Sequence, residues 1–176
     1  FLPPRKSAIV DPESVFLSKT IDMQIVLILH NLLRWVVLLA GIWTVLNALT
    51  GRFGNRAYTA SDNRSNLLFM ISCDIQLLLG LILYFSNAWF DKLKGGMGEV
   101  MKNRFDRFFT VEHISMMLLA WILVHIGRSA IKRADTDGAK HRKMLVFFGL
   151  ALILILASIP WPFREEIARP LFRWNN

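Results

Sequence analysis

Cysteine is nearly absent from this 176-residue chain: a single residue, Cys73, lies inside an apolar run. An intrachain disulfide is thereby excluded, and without a C-x-x-C-H motif so is covalent attachment of a c-type haem. Nucleophile constellations are missing as well. Ser72, Ser115 and Ser158 are isolated hydroxyls, no H-E-x-x-H occurs, and the glycines of GGMGEVMKNRFDR lack the G-K-[ST] ending of a phosphate loop. Hydrolysis and nucleotide binding are therefore poor expectations. No segment repeats at a fixed period, no low-complexity tract occurs, and the ten-residue alternation of a membrane barrel is missing.

Apolar residues, in contrast, make up 54% of the chain, with a mean hydropathy of +0.41. Runs near 24–48, 66–87, 108–127 and 143–163 are each long enough to cross a hydrocarbon core of roughly 30 Å, which takes about 20 helical residues. Backbone groups in lipid must be satisfied internally, so these runs are read as helices. The expected fold is all-α, an integral membrane four-helix bundle with short loops. One transmembrane domain is expected over 23–163, with an extended N-terminal tail over 1–22 and an interfacial C-terminal tail over 164–176. Pro160 and Pro162 are expected to stop the fourth helix, with Trp161 at headgroup level. The glycines of the second loop predict a flexible corner, followed by a short amphipathic stretch on the interface.

The net charge of +8 is concentrated in the connections, as in GRSAIKRADTDGAKHRK. Basic loops beside spans suit an anionic leaflet, so the lipid bilayer is the expected partner and nucleic acid is not. Loops one and three together hold nine Lys/Arg, against five in the longer second loop. By density this places both termini outside.

All four histidines lie in or beside spans. His30 and His113 come early in spans one and three, hence in one leaflet, whereas His125 and His141 share the opposite side. His113 and His125 are twelve residues apart, about 18 Å along a helix, and point roughly 120° apart. One is expected to face span one and the other span four. Paired imidazoles from facing bundle helices suit a six-coordinate haem iron, which makes His30 with His113 the better candidate site and His125 with His141 a second. His141 sits among cations in AKHRK and can equally be interfacial.

Arg34 lies one turn beyond His30 on the same face, where it can clamp a haem propionate or pair with Glu112, the neighbour of His113. Met117 is a candidate sulfur ligand on the His113 face, and filler otherwise. Ala120 and Gly127 on that face permit close helix approach or room for a flat ring. Asp74 lies well inside span two, in the leaflet of His125 and His141. It can orient a ligand histidine, serve as a protonatable group near a quinone, or lock two helices as a neutral acid.

The segments LHNLLRWVVLLAGIW, DIQLLLGLILYF, TVEHISMM, HIGRS and AKHRKMLVFFGLALILILASIPW resemble a small four-span family of Bacteroidetes-type bacteria whose members are often labelled cytochrome b-like. The resemblance covers roughly residues 23–162 and implies a bacterial inner-membrane protein carrying haem b. A membrane electron-transfer subunit, with one haem favoured over two and quinol or a partner redox protein as exchange partner, is the leading expectation. The alternative is a non-catalytic accessory or assembly subunit among other membrane protein subunits. A cavity between His30 and His113 favours the first, and a tightly filled core favours the second.

Overall fold

The computed structural model describes residues 12–87 and 89–173, with side chains from residue 22 onward. Its elements run α1 (Pro12–Phe53), α2 (Ala60–Ser86), α3 (Trp89–Lys94), α4 (Met97–Lys102), α5 (Arg104–Arg107), a π-helical turn (Phe108–Glu112), α6 (His113–Lys132), α7 (Asp137–Ser158) and a 3-10 turn (Glu165–Ile167). Four segments are long and apolar enough to cross a bilayer: Asp22–Phe53, Ala60–Ser86, Arg104–Lys132 and Asp137–Ser158. The protein is an all-α, multi-pass membrane four-helix bundle.

Side-chain placement follows membrane rules. Leu39, Leu46, Leu78 and Ile153 face outward, while the interior collects small and weakly polar residues such as Ala40, Thr44, Ala48, Ser65, Ser72, Ala120 and Ala151. Small residues let backbones approach, which is how helices associate when lipid is as apolar as leucine. Thr44 returns its hydroxyl to the Ala40 carbonyl at 2.8 Å, so its polarity is spent locally. α1 packs extensively on α2 and α7, and α7 on α6, whereas α2 and α6 meet along a much smaller contact. The bundle is therefore loosest between α2 and α6.

A polar lock closes the end formed by the α1–α2 and α6–α7 connections. Arg56 reaches both oxygens of the fully buried Asp62 at 2.6 and 2.7 Å. Asp62 also accepts from the backbone and hydroxyl of Thr59, fixing the start of α2. That same bond to Asp62 holds the Arg56 guanidinium above its usual range. Arg128 of α6 donates to Asn63 at 2.8 Å and to Asn66, and Asn66 donates to the Tyr58 hydroxyl at 2.7 Å.

Three expectations shift at the boundaries. The tail anticipated over 1–22 is helical from Pro12, a residue whose missing N–H costs nothing at the first helical position; residues 1–11 lie outside the described residues. The fourth span ends at Ser158, short of 163, because Pro160 pushes Ile159 into extended backbone at φ −71°, ψ 130°. The second loop, read as a corner plus one amphipathic stretch, holds three short helices, with Gly96 at φ 112° making the turn before α4.

Candidate functional site

A cavity of about 470 Å³ lies at the opposite end of the bundle, within the size range of small-molecule and cofactor sites. Its walls are mostly apolar, from Leu27, Val37, Leu77, Ile114, Met117 and Ile155 among others, and it contains both His30 of α1 and His113 of α6. The two histidines that the sequence places in one leaflet thus share one cavity.

Each ring is held differently. His113 Nδ1 lies 2.9 Å from the carbonyl of Ser158. A carbonyl only accepts, so Nδ1 carries the proton and Nε2 keeps its lone pair. The turn preceding His113 is π-helical, its N–H bonding back to Phe108. Such a wide turn loosens the carbonyl ladder. The Tyr84 hydroxyl donates to the Thr110 carbonyl at 2.9 Å and stabilises it. The His30 ring packs on Gly80, where an added Cβ would come within 3.3 Å of it, and Gln76 donates to the His30 carbonyl at 3.0 Å. α2 thus supports the α1 ligand candidate from behind.

Around this cavity, four buried polar atoms have no hydrogen-bond partner among the described residues: His30 Nδ1, Asn31 Oδ1, Arg34 Nε and Gln76 Oε1. Buried polar groups are paired in nearly all native structures, so a cluster of orphans around one void marks a place shaped for a polar-bearing ligand. Among the described residues no three His, Cys, Asp or Glu side chains converge as a metal cluster. Two imidazoles lining an apolar chamber are a donor set that a haem iron could accept.

The other candidates are distributed as follows. Met117 lines the cavity, as does Ala120, while Gly127 is packed against Phe147 of α7; only the first two of that helix face leave room for a ring. Arg34 also lines it, but its anticipated ion pair with Glu112 is not made. Its Nη2 donates to the Leu171 carbonyl at 2.6 Å, and Glu112 pairs with Arg107 at 2.7 Å. The C-terminal segment lies between the two, and Arg107 is the nearer cation on Glu112's own helix end. Glu112 does not line the cavity.

The second histidine pair is not assembled. His125 faces α2 instead of α7, placing Nε2 2.8 Å from Asp74 Oδ1, and Trp121 donates to the same oxygen at 2.6 Å. His141 is fully buried against α1 and Tyr58, so closely that a Cβ on Gly51 would overlap its imidazole. The helical angle between His113 and His125 was expected to turn His125 towards span four, and its neighbour is instead α2. Asp74 and His125 retain side-chain exposures of 40% and 37%, near the middle of α2's length and on the outer surface.

Asn31, Gln76, Tyr84, Arg169 and Arg173 complete the cavity and were not legible as site residues. Asn31 follows His30 directly, a polar pair inside an apolar run, and Arg169 and Arg173 bracket the apolar stretch Pro170-Leu171-Phe172. Those were the available signals. Comparison with protein-family models, with curated proteins and with solved structures finds no match to this chain.

Proposed function

We propose that the protein is a membrane electron-transfer subunit that holds one b-type haem between His30 and His113. The observation that carries this reading is the cavity itself, with two imidazoles and four orphaned polar atoms around an apolar chamber. A tightly filled core there was the expectation of the accessory-subunit reading. Ser158 fixes the His113 tautomer so that Nε2 presents its lone pair, which is the usual arrangement of a ligating histidine. His30 is positioned by Gln76 and by the space that Gly80 leaves. A haem held by His30 and His113 would supply one-electron transfer.

Asp74 and His125 support exchange with quinol. An exposed carboxylate and imidazole at mid-bilayer depth are costly unless they meet a polar partner. A quinol reaches that depth through lipid, and its hydroxyl can donate to this pair. The same exposure favours a second reading, in which another membrane subunit covers Asp74 and His125. Loop charge and the family resemblance support a bacterial inner membrane with both termini outside.

The test is the reduced-minus-oxidised visible spectrum of the protein purified with haem supplied during expression. A haem b band is expected in the wild type, in His125→Ala and in His141→Ala, and is lost in His30→Ala and in His113→Ala. A colourless wild type would sink the reading.

A further inference from the structure

The segment that follows α7 forms part of the cavity wall, and it is tied down at several points. Arg164 donates to the carbonyl of Ala157 at 2.8 Å, Trp161 to that of Leu156 at 2.9 Å, and His113 takes Ser158, so the last turn of α7 is satisfied by side chains. Ile167 is buried, Leu171 accepts from Arg34 and Trp35, and Phe172 stacks on Trp35 with centroids 5.4 Å apart. Pro160, Arg169, Pro170 and Arg173 thereby become part of the cavity wall.

The charge of that wall is unbalanced. Arg34, Arg169 and Arg173 line it, and no aspartate or glutamate does. Arg169 lies over the rings of Phe105 and Phe109 at 4.7 and 4.9 Å, which shield one face of its guanidinium, and among the described residues no acceptor takes its N–H edge. Among the described residues neither Arg169 nor Arg173 makes an ion pair. Burial, with Arg173 adding repulsion, holds the Arg169 guanidinium below its usual range. Three guanidinium groups thus line one cavity with no carboxylate among its described lining residues, and planar forked donors match a carboxylate.

Resting on the haem reading above, we infer that Arg34, Arg169 and Arg173 form a carboxylate clamp in the cavity wall. The segment 160–173 is its cap, gripping the propionates of the cofactor while the apolar walls take its ring. The shared chemistry is a carboxylate on an apolar body, so a fatty acid is the other source of the same group.

The clamp is tested by titrating the full chain in detergent with protohaem and with its dimethyl ester, which lacks free carboxylates, and reading the visible spectrum. The wild type is expected to bind protohaem tighter than the ester by on the order of tenfold or more, and Arg169→Gln/Arg173→Gln to bind the two alike. Equal binding of both porphyrins by the wild type, or undiminished preference in the double variant, overturns the clamp while leaving the haem reading standing. A chain that binds neither porphyrin overturns the haem reading, and a fluorescent fatty acid then decides the clamp. Uptake lost in the double variant supports it, and no uptake overturns it too.

Discussion

His113 donates its Nδ1 proton to the carbonyl of Ser158, the last residue of α7, across 2.9 Å. This one bond does two things. It satisfies a carbonyl that the end of a membrane helix would otherwise leave bare, and it leaves the second ring nitrogen of His113 as a lone-pair donor in the cavity. The end of α7 is placed where it is by Pro160, so a proline just past one span sets the tautomer of a histidine in another.

The π-turn before His113 predicts a role for Tyr84. Its hydroxyl is the side-chain donor to the Thr110 carbonyl, and removing a hydrogen bond to a buried group costs about 1–2 kcal/mol. Tyr84→Phe is expected to lower the thermal midpoint in detergent by a few degrees and to shift the haem band, because the turn that aims His113 relaxes. Scanning calorimetry and the visible spectrum read the two effects. An unchanged midpoint would show that the π-turn holds without Tyr84.

Gly51 and His141 predict a coupled pair. An alanine at 51 would push its Cβ into the buried imidazole, an overpacking cost of about 1–3 kcal/mol. Gly51→Ala is expected to destabilise the bundle, and His141→Ala in the same chain to return much of the loss, with a coupling of about 0.5–3 kcal/mol. Thermal midpoints of the four proteins close the cycle. Additive losses would mean that the helices separate instead of pressing on the ring.

Asp62 makes the third case. Its carboxylate is fully buried while Arg56 is one-third exposed, so the pair is only half protected from solvent. Breaking a wholly buried pair costs 3–5 kcal/mol, and with one partner wet roughly 2–3 kcal/mol is the expected loss for Asp62→Ala. Unfolding in detergent should show it, with haem content unaltered below the new midpoint. A loss of haem at equal stability would tie this lock to the distant cavity.

The four spans and the His30–His113 end were legible because they depend on composition, length and helix direction alone. Apolar runs of about 20 residues allow one kind of structure in lipid, and early positions in spans one and three must lie at one end. What could not be read was lateral order. Twelve residues of helix fix the angle between His113 and His125, but only the packing of α1 between α2 and α7 decides that His125 meets Asp74 and not His141. The Arg34–Glu112 pairing failed for a similar reason, since the backbone carbonyl of Leu171, 137 residues away, fills the position facing Arg34. Backbone acceptors from a folded-back tail carry no sequence signature.

Asp74 gives the last prediction, one that separates proton exchange from a subunit contact. Oδ1 accepts from Trp121 and lies beside His125, and the pair is open on the outer surface of the bundle. In Asp74→Asn the carboxamide oxygen can still accept from Trp121, so the geometry survives while the negative charge and its affinity for a proton are lost. Haem content and reduction by dithionite should be unchanged. Reduction by a short-chain quinol in a stopped-flow instrument should slow by about 100-fold, at the low end of what a general base contributes. His125→Gln should slow it in the same sense, because Asp74 then lacks its imidazole partner. Quinol reduction at the wild-type rate in both variants would remove the pair from electron exchange. The cost of exposing a carboxylate at mid-membrane depth would then be met by a partner helix, and the same substitutions should weaken co-purification of that subunit.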